Sequence, residues 1–230
     1  MKAYTFLLLV LLSCTASCTK EATKYRELLN GTEIIYTGPV SSLTARSGNL
    51  RALLQWQPSP DPSITGYIIY WNNNTDSMKL PATGTVNDTL KTLITGMGEY
   101  VQNFVLYTTD SKGNKSVGQS LSGVRIYGPL YISSLVNRQL NSSKPPVALS
   151  GNAYALFFSA TDTALNINTR LSFYNAANQL QTVNLPALSD SVVLHAVNPG
   201  TKVAVLSSYI PERKALDTFN VAYSDTITLK

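Results

Sequence analysis

Beyond residue 31, apolar and polar residues alternate with a period of two, and turn-forming residues recur about every eight to twelve positions. Such alternation is typical of strands with one buried face, and short strands at this spacing favour β-sandwiches. We therefore predict an all-β fold of two consecutive antiparallel β-sandwich domains with little helix. The predicted strands cover residues 50–57, 66–72, 77–81, 89–95, 103–109, 119–126, 153–159, 169–174, 180–185, 191–197, 202–210 and 218–229.

The two series of strands place the predicted domains at residues 31–127 and 128–230, with the boundary near Gly128-Pro129. Each series has a common domain size. Segments such as 58–62 and 198–200 separate the strands, and their Pro, Gly, Asn and Asp residues supply turn chemistry.

The start of the chain has the pattern of an export signal. Lys2 precedes the apolar run from Phe6 to Leu12, which at seven residues is far shorter than the roughly 20 needed to span a bilayer. We predict a signal peptide at residues 1–17 and a short tether at residues 18–30.

Two cysteines follow the apolar run, each directly after a serine. This arrangement resembles the lipobox of bacterial lipoproteins, which implies that one thiol is acylated and becomes the first residue of the mature chain. We favour Cys18 over Cys14, although Cys14 has Leu11 at the lipobox position. The alternatives are an ordinary secretory signal and a disulfide between the two cysteines. A lipid anchor predicts attachment to the outer membrane, at the cell surface or the periplasmic face.

The composition argues against several classes of function. Only 13% of the residues are charged, and the formal net charge of +5 comes from scattered basic residues, so we expect no nucleic-acid partner. The single histidine, His195, lies in a strand pattern with no second histidine to complete a catalytic or metal site. Several aspartates lie in predicted turns, where hydrogen bonding of the side chain to the local backbone explains their presence without a catalytic role: Asp61, Asp110, Asp162 and Asp190. We predict a non-catalytic protein without metal or cofactor.

In the first half, the run Leu54-Gln55-Trp56-Gln57-Pro58 is followed by alternating Tyr67, Ile69 and Trp71. This pattern resembles strands B and C of a fibronectin type III domain. We expect Trp56 to fill the centre between two sheets, with the three alternating side chains packed against it.

One feature departs from the fibronectin pattern. Tyr100 stands where that fold has its corner tyrosine, but more residues than usual separate it from Asp110. We expect the extra residues, around 101–103, to bulge or to lengthen the turn. The hydrogen bond of the tyrosine corner is therefore in question.

Further stretches carry a resemblance that covers most of the chain: residues 30–38, 70–73, 127–138, 209–212 and 215–219. They resemble an uncharacterised family of Bacteroidetes lipoproteins. The resemblance implies a surface or periplasmic lipoprotein of the kind often associated with glycan-utilisation systems, and it implies no particular activity.

An Asp followed by a hydroxyl residue and then an apolar residue recurs along the chain. This pattern resembles an O-glycosylation signal of exported Bacteroidetes proteins. Strand entry explains it equally well, since Asp closes a turn and the apolar residue enters the core. The candidate hydroxyls are Ser77, Thr89, Thr163, Ser191 and Thr226.

Surface aromatic residues are the best candidates for ligand contact, because a ring face stacks on the apolar face of a sugar. Tyr70 lies on the strand face opposite Trp71, and Tyr131 and Arg138 lie on the segment that joins the two halves. Covering of the sheet or of the interdomain contact is the alternative role of these residues. We predict a surface lipoprotein that binds glycan or a neighbouring outer-membrane protein; the alternative is a structural spacer or adhesin-like protein without glycan binding.

Overall fold

The computed structural model describes residues 34–230. The chain is almost entirely β, as predicted, and all pairings between its strands are antiparallel in this part of the chain. No helix between residues 34 and 230 is long and apolar enough to cross a membrane. The elements are β1 Ser41–Gly48, β2 Arg51–Gln57, β3 Ile64–Trp71, β4 Asp76–Pro81, β5 Leu90–Thr95, β6 Val101–Asp110, β7 Gln119–Arg125, α1 Pro129–Ser134, β8 Val147–Leu149, β9 Ala153–Phe157, β10 Asn166–Tyr174, β11 Leu180–Pro186, β12 Ser191–Leu194, β13 Lys202–Tyr209, β14 Phe219–Asn220 and β15 Asp225–Thr228.

Two sheets form a sandwich in the first half. Their strand orders are β1-β2-β5 and β4-β3-β6-β7, and inward side chains from both build one apolar core. Trp56 is almost fully buried at the centre, and its ring meets Tyr67 edge to face with centroids 5.3 Å apart. Ile69 is fully buried beside this pair, and Trp71 packs against the same core. The predicted central role of Trp56 is confirmed.

The corner tyrosine makes a different contact from that of the fibronectin pattern. Tyr100 is exposed, and its hydroxyl donates to Asn72 Oδ1 at 3.0 Å.

The β6–β7 register shifts between Gln102 and Phe104. The predicted bulge near residues 101–103 is therefore present, and it lets the Asn103 side chain accept a hydrogen bond from Gly123 N at 3.1 Å.

A second pair of sheets encloses a second core. One sheet has the order β12-β9-β8; the other has the order β11-β10-β13, with β14 and β15 both paired to β13. Inward residues alternate along the strands, so that each sheet contributes one face to the core. The buried core residues are Tyr154, Leu156, Phe158, Leu171, Phe173, Leu185, Leu194, Val197, Val203, Val205 and Leu229.

Helix α1 lies between the two halves and is capped from the first half. Its first free backbone N–H groups, those of Leu130 and Tyr131, each donate to a carboxylate oxygen of Glu99 at 2.6 Å. Pro129 occupies the first turn, where its missing N–H costs nothing. The helix begins at Pro129, and the domain boundary near Gly128-Pro129 stays a prediction.

The structure differs from the predicted strands at four places. The sequence analysis missed β1, whose composition is mostly polar, and the three-residue β8. The predicted strand at 218–229 is wrong in its middle, because Val221 turns into the core and separates β14 from β15. The strand predicted at 191–197 ends at Leu194, since Ala196 adopts a left-handed φ of 53°.

Candidate functional site

The outer face of the β4-β3-β6-β7 sheet carries two tyrosines. Strand register places Ser77, Tyr70 and Val105 side by side in one row, and Lys79, Ile68 and Tyr107 in the next. Residues paired in this way lie on the same face of a sheet. The rings of Tyr70 and Tyr107 meet edge to face with centroids 5.9 Å apart.

A depression of about 350 Å³ lies over this surface. Its lining residues include Ile68, Tyr70, Lys79 and Lys115. The Lys115 Nζ lies 5.9 Å from the Tyr70 ring centroid. We call these residues, together with Tyr107, the Tyr70 face. The face combines an aromatic surface with hydrogen-bond donors.

Gly118 leaves room for the Tyr107 ring. A Cβ at this position would lie 2.8 Å from Tyr107 Cζ and 2.8 Å from Val105 Cγ1. Contacts this short force the neighbouring atoms to move. The position of the Tyr107 ring on the sheet therefore depends on a glycine here.

The asparagine turn after β3 does not line the depression, which runs along β3 from Gly66 to Tyr70. Asn72, Asn73 and Asn74 all adopt left-handed φ values between 50° and 64°, and asparagine tolerates this conformation better than most residues. The Asn72 side chain makes a hydrogen bond within the turn, in which its Nδ2 donates to Asp76 at 3.0 Å.

Tyr131 lies in an aromatic cluster between the two halves rather than on an open surface. Its ring centroid is 5.1 Å from that of Tyr127 and 5.1 Å from that of Phe219. Burial raises the pKa of the Tyr131 phenol. This placement corresponds to the interdomain role that the sequence analysis gave as the alternative to ligand contact.

Residues 211–219 meet the β1–β2 hairpin, and we call this contact, together with the aromatic cluster, the joint. Asp217 forms an ion pair with Arg51 and accepts a hydrogen bond from Asn49 N at 2.7 Å. The hydrogen bond with Arg51 lowers the pKa of the Asp217 carboxyl. The Arg46 guanidinium donates to Lys214 O at 2.8 Å, which adds a second cross-link.

Several stretches of the family resemblance meet at the joint. Residues 127–138 contain α1 and Tyr131, and residues 215–219 contain Asp217 and Phe219. These stretches therefore build the contact between the two halves. The sequence analysis found the stretches, but it did not find the pairing of Asp217 with Arg51 or the capping by Glu99.

Arg138 is buried in the second half, with 6% of its surface exposed. Its Nε donates to Ser159 O at 2.6 Å and its Nη1 to Ser189 O at 2.8 Å. Burial lowers the pKa of the guanidinium. The structure thus separates Arg138 from Tyr70, and the three predicted ligand residues do not form one site.

All five candidate glycosylation residues are exposed. The following apolar residues agree with the strand-entry explanation in four cases, where they pack against a core: Met78, Leu90, Val192 and Ile227. Ser77 pairs with Tyr70 in the strand register. A glycan on Ser77 would therefore stand beside the Tyr70 face.

The groups considered for catalysis are dispersed. His195 is exposed just after β12. The Asp61 carboxylate accepts hydrogen bonds from the hydroxyl and N–H groups of Ser63 and the N–H of Gly38, which lower its pKa. Within residues 34–230, no three His, Cys, Asp or Glu residues are grouped as metal ligands.

The two candidate lipidation residues, Cys14 and Cys18, lie outside the described residues.

Comparison with solved structures finds fibronectin type III segments at low similarity. The chicken CNTN1 FN1–FN3 domains match at 12% identity and a TM-score of 0.41, over 85% of this chain and 69% of that one. A two-domain fibronectin type III segment of chicken tenascin matches at 12% identity and a TM-score of 0.34, over 83% of this chain and 99% of that one.

Comparison with curated proteins finds no match. A family model, DUF4998, described as a domain of unknown function, matches residues 18–219. Most of the chain falls inside that match, including the first sandwich, the joint and the second sandwich as far as Phe219, while β15 lies beyond it. The chain therefore belongs to the DUF4998 family of domains of unknown function.

Proposed function

We propose that this protein is a non-catalytic lipoprotein of the outer membrane that binds glycan through the Tyr70 face. The anchor is the lipidated Cys18, and the ligand belongs to a glycan-utilisation system. The observation that carries the proposal is the Tyr70–Tyr107 pair beside a depression of about 350 Å³. This volume lies near the lower end of ligand pockets, which begin at roughly 300 Å³.

The chemistry of the face supports a glycan over an apolar ligand. A tyrosine ring offers an apolar surface to sugar C–H groups, and its hydroxyl and the nearby ammonium groups can bond sugar oxygens. Lys79 is exposed, so its ammonium can turn toward a bound sugar without breaking a contact of the fold. No reaction is needed for this role.

The proposal is tested by a glycan array probed with the soluble chain from residue 24 onward. The array includes neutral polysaccharides and polysaccharides that carry uronic acids, because Lys79 and Lys115 flank the ring. Specific, saturable binding to a subset of glycans is the expected result. Binding to none of them, with the protein shown to be folded by circular dichroism, rejects the proposal.

The joint favours a second candidate function, that of a structural spacer or protein-interaction lipoprotein without glycan binding. The Arg51–Asp217 ion pair and the rings of Tyr127, Tyr131 and Phe219 fix the two sandwiches to each other. A fixed contact suits a protein that holds a partner at a set distance from the membrane. Chemical cross-linking in native membranes distinguishes the two: a spacer is captured with one neighbouring protein while the glycan array stays negative.

A further inference from the structure

A second cavity of about 320 Å³ lies in the second half, away from the Tyr70 face. The segment 138–140 forms one wall, and β13 and β15 form the other. Leu140, Val205 and Ile227 give the cavity an apolar surface. Its polar lining residues are Arg138, Gln139, Asp225 and Thr226.

The guanidinium of Arg138 is held in place but only partly used. Two of its nitrogens donate to the carbonyl oxygens of Ser159 and Ser189, and its Cζ lies 6.0 Å from the ring centroid of Phe158. The third nitrogen, Nη2, has no hydrogen-bond partner among residues 34–230 and is not fully buried. In the same part of the chain, no carboxylate lies within ion-pair distance of Arg138. A preorganised donor is therefore free beside the cavity.

The opposite wall supplies the complementary acceptor. Asp225 is half-buried, and its carboxylate makes no hydrogen bond with the described residues. Asp190 also acts on the Arg138 charge through space. An anion in the cavity would meet the Asp225 carboxylate of the lining and the field of Asp190. Sugar hydroxyls, which both donate and accept, match this set of groups.

We infer that this cavity binds one neutral sugar unit, held by Arg138 and Asp225 against the apolar wall of Leu140 and Ile227. The sugar class rests on the proposed function, while the position of the subsite does not. The subsite is separate from the Tyr70 face, so that one glycan chain can engage both halves or each half can bind alone. Thr226 is next to Asp225 in β15, so protein without O-glycosylation is used for the test.

The test is saturation-transfer NMR on the soluble chain with the substitution Tyr70→Ala. This substitution removes the central ring of the Tyr70 face, so that binding there does not contribute to the signal. The probes are the methyl glycosides of glucose, galactose and mannose, with glucuronate as the charged comparison. We expect saturable transfer to at least one methyl glycoside and little to glucuronate. Asp225→Asn should reduce the transfer by about five- to tenfold, since a hydrogen bond to a charged carboxylate becomes one to a neutral amide oxygen.

Asp162→Asn is the matched control, because Asp162 lies in an exposed turn and the asparagine keeps the oxygen that accepts from Ala164 N. This control should leave the transfer unchanged. The inference is overturned by transfer to no glycoside, by non-saturable transfer, by equal transfer to glucuronate, or by transfer that Asp225→Asn does not reduce. A negative array with a positive NMR titration would reject glycan binding by the Tyr70 face and retain this subsite.

Discussion

Asp217 and Arg51 lie 166 residues apart in the sequence and form the ion pair at the joint, with Arg51 Nε 3.0 Å from Asp217 Oδ2. The same carboxylate accepts the backbone N–H of Asn49. One side chain of the second half thus holds both a side chain and the backbone of the β1–β2 hairpin. Gly48 permits this approach, because a Cβ there would collide with Asp217.

Asp217→Asn should weaken the joint. We expect a loss of about 1 kcal/mol in the free energy of unfolding, at the low end for a charged hydrogen bond because Arg51 is partly exposed to solvent. Urea unfolding of the variant beside the wild type measures this loss. An unchanged unfolding midpoint would contradict the assigned role of Asp217.

The same pair predicts a pH dependence. The pKa of the folded Asp217 carboxyl lies below its ordinary value, so its stabilising contribution is complete above the unfolded pKa of about 4 and is lost as the pH falls through the lowered folded value. The difference in stability between wild type and Asp217→Asn should be constant from about pH 5 to 8 and shrink in stronger acid. Unfolding measured from neutral pH into acid below about pH 4 checks the direction of this change. A difference in stability that grew on acidification would contradict it.

Glu99→Ala should destabilise α1 by about 1 kcal/mol, because the N–H groups of Leu130 and Tyr131 lose their acceptor. Glu99→Gln should cost less, since its amide oxygen can still accept one of these hydrogen bonds. Amide hydrogen exchange of Leu130 and Tyr131 gives a local readout. Equal protection in all three proteins would show that Glu99 does not cap the helix.

Arg138→Met should destabilise the second half by about 2–4 kcal/mol, since the carbonyl oxygens of Ser159 and Ser189 lose their donors. Arg138→Lys keeps the charge and one donor, and we expect an intermediate loss. Thermal unfolding of the wild type and the two variants gives their order of stability. A methionine variant as stable as the wild type would contradict the anchoring role of the guanidinium.

The proposed lipid anchor predicts the behaviour of two cysteine variants. Cys18→Ser should move the protein from the membrane fraction to the soluble fraction, and Cys14→Ser, the matched control, should leave it in the membrane. Intact mass of the membrane-bound protein checks the acyl chains and any O-linked glycan at once. Retention of the Cys18→Ser variant in the membrane with loss of the Cys14→Ser variant would assign the anchor to Cys14.

The strands and the first core could be predicted because their information is local. Alternation around Trp56 and Tyr67 identifies which side chains face inward, and the two rings meet as expected. β1 was not predictable in the same way, since its polar sequence is ordered by its ladder with β2 rather than by its own apolar residues.

The joint and the sites depend on contacts that no local pattern encodes. Asp217 and Arg51 are ordinary surface residues in the sequence, and only the fold brings them together. The position of Arg138 in the chain makes it a ligand candidate, but the fold alone determines its burial and its hydrogen bonds to the distant Ser159 and Ser189. The contact between Tyr107 and Tyr70 could not be predicted from the sequence either, because the two tyrosines lie on different strands.

The most direct test of glycan binding by the Tyr70 face is native gel electrophoresis through a polysaccharide that the array identifies. The wild-type protein should be retarded. Tyr70→Ala should weaken the apparent affinity by about tenfold, because the loss of one aromatic contact costs roughly 1.4 kcal/mol. Tyr174→Ala, which removes an exposed tyrosine of the second half, should migrate like the wild type. Equal retardation of the wild type and the folded Tyr70→Ala variant would contradict the account.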